Sequence, residues 1–554
     1  LEGGRVLRGE RAVNQEYKRW LDNASDEIRD ELKDLTPEEV RERFSLDLEF
    51  GTGGMRGVMG AGTNRINSYT IKRASLGFGR WISENYSDPS VVIAFDTRHK
   101  SAQFAQTTAE VLSSMGIRVH VFIEPMPVPI LSYAVRELKA SGGVVITASH
   151  NPPQYNGFKV YTSDGTQAVP GYAEEIIKRV EASDYFEDFS PRSELINSIP
   201  NSLLEKYIDT VKENILGLTS DYEELNVVYT PLHGSGNFPV YKALTVLGHR
   251  VKRVEEQAIP DGDFPTVQSP NPEDPRAFSM ALDVAREIGA DLVIATDPDC
   301  DRLGIMVAHN GDYAPLNGNQ TGAIMTSFIL ERMKDSLPSD PFIVKTIVST
   351  DLVKRIASKY GVEVKETLTG FKFIGEIIEK AEMDGKGNYL FGFEESYGSL
   401  FGKHARDKDA VSAAALACAI GGYLKRKEMT LIDYLEEIYS EFGYFQEALV
   451  NKEYEGIQGK EKIESIMTGL RHIEPSKLKE MAIREMRDYL NGYGNLPPSD
   501  VISMEMENDC KIIVRPSGTE PKIKFYLMAR GENREEAEKK IEEMKELVER
   551  IVCL

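Results

Sequence analysis

Residues 91–95, Val-Val-Ile-Ala-Phe, run into Asp96-Thr97-Arg98; a helical stretch follows to about residue 114, and apolar alternation resumes at 118–122, Arg-Val-His-Val-Phe. A β-branched run, a polar turn, an amphipathic helix and a second strand make a βαβ element. The same order recurs twice. Asn226-Val227-Val228-Tyr229 leads through a Gly-rich turn and a helix to about 246 into a strand at 250–254. Residues 342–348 lead through Ser349-Thr350-Asp351 and a helix to about 359 into a strand at 362–365. After a further helical stretch, each copy ends in another strand with a polar or charged tip, at 147–152, 296–302 and 392–398. The reading is a threefold repeat of mixed α/β domains. Three polar loops at one position in the repeat are expected to converge on a cleft, the usual place for a small-molecule site.

The flanks differ. Residues 13–44 are rich in Glu, Lys, Arg and Leu and read as surface helices, with Thr36-Pro37-Glu38-Glu39 a helix start. From about 450 a charged helical stretch is expected, then two strands around Arg515-Pro516-Ser517-Gly518-Thr519-Glu520-Pro521, then a helix over 532–552. The chain of 554 residues is expected to fold as α/β with four domains around a central cleft, the fourth a smaller α+β domain. The boundaries read are 1–212, 213–325, 326–449 and 450–554.

Composition narrows the function. A net charge of −22 argues against a nucleic-acid binder, and an anionic substrate would need cations gathered locally. Cys300, Cys418, Cys510 and Cys553 are scattered with no CxxC pair, so neither a disulfide framework nor a zinc site is indicated. No apolar run approaches the roughly 20 residues a bilayer requires. The start, Leu1-Glu2-Gly3-Gly4-Arg5, lacks an apolar signal region and an initiator Met, as a trimmed start would. A cytoplasmic location is the expectation.

The loops carry the chemistry. Val144-Val145-Ile146 is a buried strand that stops at Thr147-Ala148-Ser149-His150-Asn151-Pro152, placing a hydroxyl and an imidazole on a rigid strand edge. Asp297-Pro298-Asp299-Cys300-Asp301-Arg302 sets three carboxylates at alternate positions. Their repulsion asks for a cation, and hard oxygen donors select Mg²⁺ or Ca²⁺. An EF-hand is excluded, because its sixth and twelfth places hold Arg302 and Ala308. Arg302 is placed to neutralise a phosphoryl group, and Cys300 reads as a small filler. Gly392-Phe393-Glu394-Glu395-Ser396-Tyr397-Gly398 offers carboxylates suited to paired sugar hydroxyls. Lys372, in Thr369-Gly370-Phe371-Lys372, and His404, in His404-Ala405-Arg406-Asp407-Lys408-Asp409, are acid/base candidates. The Arg515 loop resembles a phosphate cradle. Arg56, within the Gly-rich Gly51-Thr52-Gly53-Gly54-Met55-Arg56-Gly57, is an anion-site candidate.

Four of these loops, the ones at Ser149, Asp297, Gly392 and Arg515, resemble in sequence and order the signature loops of the α-D-phosphohexomutase superfamily, phosphoglucomutase branch. The resemblance covers nearly the whole chain. It implies four domains, three sharing an α/β core. It further implies that Ser149 carries a phosphoryl group, and that Asp297, Asp299 and Asp301 hold Mg²⁺ together with Ser149. Glu394 and Ser396 would bind sugar hydroxyls, with Arg302, Thr369, Gly370, His404 and Lys408 also substrate-binding. Arg515, Ser517, Gly518 and Thr519 would bind the non-reacting phosphate. Arg56, His150 and Lys159 match positions near the transferred group, and Lys372 matches the general acid/base. The implied activity interconverts glucose 1-phosphate and glucose 6-phosphate through glucose 1,6-bisphosphate, which also acts as activator. Phosphopentomutases and glucose-1,6-bisphosphate synthases share a similar Glu-Glu loop and stand as alternatives, and a catalytically silent sugar-phosphate sensor is the non-enzyme alternative. The expected partners are small sugar phosphates, with neither nucleic acid nor membrane, in a monomer or small homo-oligomer.

Overall fold

A computed structural model describes residues 7–51, 53–454, 456–473, 482–517 and 522–553. The chain divides into two compact units. Leu1–Leu316, Phe371–Lys386 and Ser396–Arg426 make the first; Asn317–Gly370, Gly387–Glu395 and Lys427–Leu554 make the second.

The first unit holds two sheets. In the seven-stranded sheet, Ser90–Phe95 lies between Arg118–Val121 and Gly142–Ile146 and runs parallel to both. Both Ser90–Phe95 and Gly142–Ile146 are buried along their whole length, as strands covered on two faces are. Tyr155–Thr162 then returns antiparallel beside Gly142–Ile146. In the five-stranded sheet, Asn226–Thr230 lies between Arg250–Arg253 and Leu292–Thr296, again parallel to both, and Leu303–His309 returns antiparallel. The second unit repeats the arrangement: Pro341–Thr346 lies between Glu363–Thr367 and Asn388–Glu394, all parallel. In every copy the first strand of the βαβ element is central, and the strand ending in a polar tip is its other neighbour. The expected repeat is present with one strand order. The returning strands after residues 154 and 302 were not expected.

The flanks depart from expectation in two ways. The N-terminal helices Glu10–Asn23, Asp26–Lys33 and Pro37–Phe44 each bury a face, enclosing Trp20, Leu32 and Phe44. The capping box read at Thr36 forms, with Thr36 Oγ1 accepting from Glu39 N and the Glu39 carboxylate accepting from Thr36 N. The C-terminal region opens with the strand Tyr444–Glu453, not a helix; the helix Gly456–Arg471 comes after it. That strand heads a five-stranded antiparallel sheet closed by the helix Arg534–Val552 over its own core. Residues 212, 325 and 449 fall inside Asn201–Leu218, Gly318–Met333 and Tyr444–Glu453, where the backbone is continuous. Among the described residues no helix is long and apolar enough to cross a membrane.

Candidate active site

The strand Gly142–Ile146 delivers Ser149 in the left-handed region, at φ 51°. That conformation costs a non-glycine residue roughly 1–2 kcal/mol, so the surroundings must hold it. They do so from three sides. Ser149 N donates to Thr147 Oγ1 at 2.8 Å. The Arg98 guanidinium donates to the carbonyls of Ser149, Asn151, Pro152 and Tyr155, and its Nε lies 3.2 Å from Asp96 Oδ2. Gly157 lets the returning strand press in: a Cβ there would lie 2.6 Å from Thr147 O and 2.7 Å from Met55 O.

The Ser149 hydroxyl donates to Asp297 Oδ2 at 2.7 Å and lies 3.2 Å from His150 Nδ1. Burial, with Arg302 and Arg56 adding to it, depresses the His150 pKa, so the imidazole is neutral and can accept but is not a cation. Asp297, Asp299 and Asp301 are 0%, 0% and 2% exposed, and one oxygen from each lies within 4.8 Å of the others. The loop is shaped by its own first carboxylate: Asp297 Oδ1 accepts from Asp301 N and Arg302 N, while Cys300 takes φ 54°. Cys300 is a filler, its Sγ 2.6 Å from where a Cβ on Gly236 would sit. Burial, with Asp299 and Asp301 alongside, pushes the Asp297 carboxyl well above the usual carboxylate range. Burial acts on Asp299 too, but Lys159 above all holds that carboxyl below the range, with Lys159 Nζ 2.8 Å from Asp299 Oδ2.

These donors fit a hard dication. Asp299 Oδ1 and Asp301 Oδ1 are buried and accept no hydrogen bond. Oxygen-only donors beside a serine hydroxyl suit Mg²⁺ better than a softer metal.

Within the first unit, then, Ser149, His150, Lys159, Asp297, Asp299, Asp301 and Lys408 come together, Lys408 Nζ lying 3.1 Å from Asp301 Oδ2. Arg56 joins them through Asn151, whose Oδ1 accepts from its Nη1 at 2.8 Å. Arg302 adjoins the triad and pairs with Glu273. Tyr397, next to Ser396, offers its carbonyl to Leu303 N, just past the acidic loop. Lys372 lies in the helix Phe371–Asp384 with Nζ 5.3 Å from the Phe373 ring centroid. His404 is the exception. It is nearly inaccessible, its Nε2 2.7 Å from Asp409 Oδ2 and its ring edge-on to Tyr207.

Thr369, Gly370, Glu394, Arg515 and Ser517 belong to the second unit. There the half-buried Glu395 accepts from Thr346 Oγ1 and Ser349 Oγ, and Glu394 beside it is buried. Burial raises the Tyr526 hydroxyl pKa, Glu395 and Glu394 raise it further, and Arg515 opposes them. The sugar-type loop and the Arg515 strand therefore share one locale. Gly518 and Thr519 lie outside the described residues. Sequence reasoning missed Arg98, Glu273, Asp407 and Tyr526. Arg98 left a signal, a cation in the polar turn that follows a buried strand.

The site sets a serine hydroxyl against the first of three clustered, buried carboxylates, at the strand tips of an α/β fold repeated three times. Models of phosphoglucomutase/phosphomannomutase alpha/beta/alpha domains I, II and III match residues 47–187, 205–311 and 317–442 in that order. A phosphoglucomutase from Staphylococcus aureus (strain MSSA476) is 38% identical over 545 residues, covering 95% of this chain and 97% of its own. One from Staphylococcus saprophyticus is 36% identical, covering 94% and 98%. The structure of a putative phosphomannomutase from Thermus thermophilus superposes with a TM-score of 0.68 at 23% identity, over 91% of this chain and 99% of that one. The chain belongs to the phosphoglucomutase/phosphomannomutase family, in the α-D-phosphohexomutase superfamily.

Proposed function

We propose that the protein is a phosphoglucomutase that interconverts glucose 1-phosphate and glucose 6-phosphate through a phosphoserine at Ser149. The observation that carries the reading is the buried Ser149 hydroxyl 2.7 Å from Asp297 Oδ2, in a cluster of three buried carboxylates on which Lys159 and Lys408 close. Phosphoserine 149 gives its phosphoryl group to the free hydroxyl of a hexose monophosphate. The Ser149 Oγ–P bond breaks, a P–O bond to the sugar forms, and the hydroxyl proton passes to Lys372 acting as base. The resulting 1,6-bisphosphate turns over, its other phosphoryl returns to Ser149 Oγ, and Lys372 gives the proton back to the sugar oxygen that is released. Such transfers depend on positioning and on offsetting the charge of the phosphoryl oxygens.

Asp297, Asp299, Asp301 and the Ser149 oxygen would hold Mg²⁺, which when bound draws charge from those oxygens. Lys159, Arg302 and Lys408 supply fixed positive charge around the same point. Glu394 receives a vicinal pair of sugar hydroxyls, and Arg515 with Ser517 takes the phosphate that is not reacting. Four domains, bounded nearer to 187–205, 311–317 and 442 than the sequence alone suggests, carry one loop each. The test is a coupled assay with glucose 1-phosphate and ribose 1-phosphate as rival substrates. Glucose 1-phosphate should turn over with the higher kcat/KM in the presence of Mg²⁺; preference for the pentose would replace this reading with a phosphopentomutase.

A further inference from the structure

Three carboxylates shut from solvent need cations beside them whether or not a metal is bound. Two ammonium groups fill that need here. Lys159 Nζ lies 2.8 Å from Asp299 Oδ2 and 3.7 Å from Asp301 Oδ2, and Lys408 Nζ lies 3.1 Å from Asp301 Oδ2. Lys159 reaches the triad from a strand of the Ser149 sheet. Lys408 reaches it from a segment that is pinned residue by residue.

Asp407 Oδ1 accepts from the backbone N of Lys408 at 2.8 Å and from its Nζ at 3.3 Å, while Asp407 Oδ2 accepts from the Tyr161 hydroxyl at 2.8 Å. Just before it, the buried Arg406 donates to the carbonyls of Lys403 and Ala405 and pairs with Glu379 and Glu382. Just after it, Asp409 accepts from the Tyr207 hydroxyl at 2.7 Å and caps the helix Ala410–Lys425 through Val411 N and Ser412 N. With both neighbours fixed, the Lys408 stem runs toward Asp301, its Nζ 5.8 Å from the Phe371 ring centroid. A solvated lysine on a loop needs none of this.

We propose that Lys408 is the built-in counter-ion of the acidic triad, held in that place by Asp407 and Tyr161, and that a divalent cation binds in competition with it for Asp301. An ammonium 3.1 Å from a carboxylate oxygen and a dication on the same carboxylate repel each other strongly in a dry site. The lysine therefore stabilises the metal-free protein and weakens its hold on the metal. Once the metal is in place, the displaced ammonium remains near Ser149 to meet the incoming anion. This inference rests on the metal reading of the triad but not on the identity of the sugar.

The experiment is calorimetric titration of Mg²⁺ into the full-length, substrate-free protein and its variants, paired with thermal unfolding with and without Mg²⁺. Lys408→Met should bind Mg²⁺ about tenfold more tightly. Its midpoint without metal should fall below the wild type, and the rise on adding Mg²⁺ should be larger. Lys408→Arg, which keeps the charge, should bring Mg²⁺ affinity back toward the wild-type value. Asp407→Asn, which loosens the lysine without removing it, should shift affinity in the same direction as Lys408→Met and by less. A side chain that only staples the fold would lower both midpoints equally and leave Mg²⁺ affinity unchanged. A folded Lys408→Met or Asp407→Asn protein with unchanged or weaker Mg²⁺ binding overturns the proposal. Failure of the wild type itself to bind Mg²⁺ is a separate result, which overturns the metal assignment and the proposal with it.

Discussion

Ser149 is a strained residue held by an unstrained one. Its left-handed backbone is fixed by Arg98, whose guanidinium spans the carbonyls of four residues on the turn while its Nε faces Asp96. Both members of that pair are shut from solvent, so removing the cation strands a buried carboxylate. Arg98→Ala is expected to cost about 3–5 kcal/mol of stability, read by urea unfolding, and to slow phosphoryl transfer at temperatures where the variant is folded. Arg98→Lys keeps the charge but not the fork, and should recover stability more fully than rate. Equal recovery of both would mean that the turn needs the charge alone. The sequence shows Asp96-Thr97-Arg98 only as a polar turn after a strand. The four carbonyls that Arg98 gathers come from residues about 50 positions further on, and no local pattern announces such a contact.

At the scale of elements, strand tips were legible and the supports behind them were not. The tips at 147, 296 and 394 stand out because apolar runs end in Ser, Asp or Glu, and each lies at the end of the strand beside the central one. The Asp409 partner of His404 was not legible, because a histidine near such a loop looks the same in sequence whether it faces a ligand or a buried aspartate. A buried ionic cluster in the second unit was also invisible. Lys345, wholly buried, meets Asp351 and Glu366; Lys354 meets the same two; Lys511 reaches Asp351 from the C-terminal sheet.

Glu447 faces this cluster, near Thr350, Asp351, Lys345 and Lys511, with Oε1 shut from solvent and accepting no hydrogen bond. Burial pushes its carboxyl up to about 7 from an ordinary 4.5. The folded state therefore keeps a proton that the unfolded chain gives up, and stability falls as pH rises from about 4.5 to about 7, then levels off. Glu447→Gln should remove that slope, so that the variant gains on the wild type between pH 5 and pH 8 in urea unfolding. A constant difference across this range would place the titration elsewhere.

For the whole molecule, an acidic chain of net charge −22 keeps a cationic site for an anionic substrate. Lys159, Arg302 and Lys408 gather at the carboxylates beside Ser149, and Arg56 reaches the same loop through Asn151. The threefold repeat was readable because each copy spends its apolar residues on three parallel strands in one order. The elements at the expected breaks were less so: Asn201–Leu218, Gly318–Met333 and Tyr444–Glu453 run through residues 212, 325 and 449 without a change in composition.

The claim on which everything else rests is that Ser149 carries the phosphoryl group. Intact-mass analysis before and after incubation with glucose 1,6-bisphosphate and Mg²⁺ tests it directly. The wild type should gain one phosphoryl group, localised by peptide mapping to Ser149 and lost again on adding glucose 1-phosphate, while Ser149→Ala gains none and has no mutase activity. A Ser149→Ala protein that still takes up the phosphoryl group, or still turns over glucose 1-phosphate at the wild-type rate, would contradict the account.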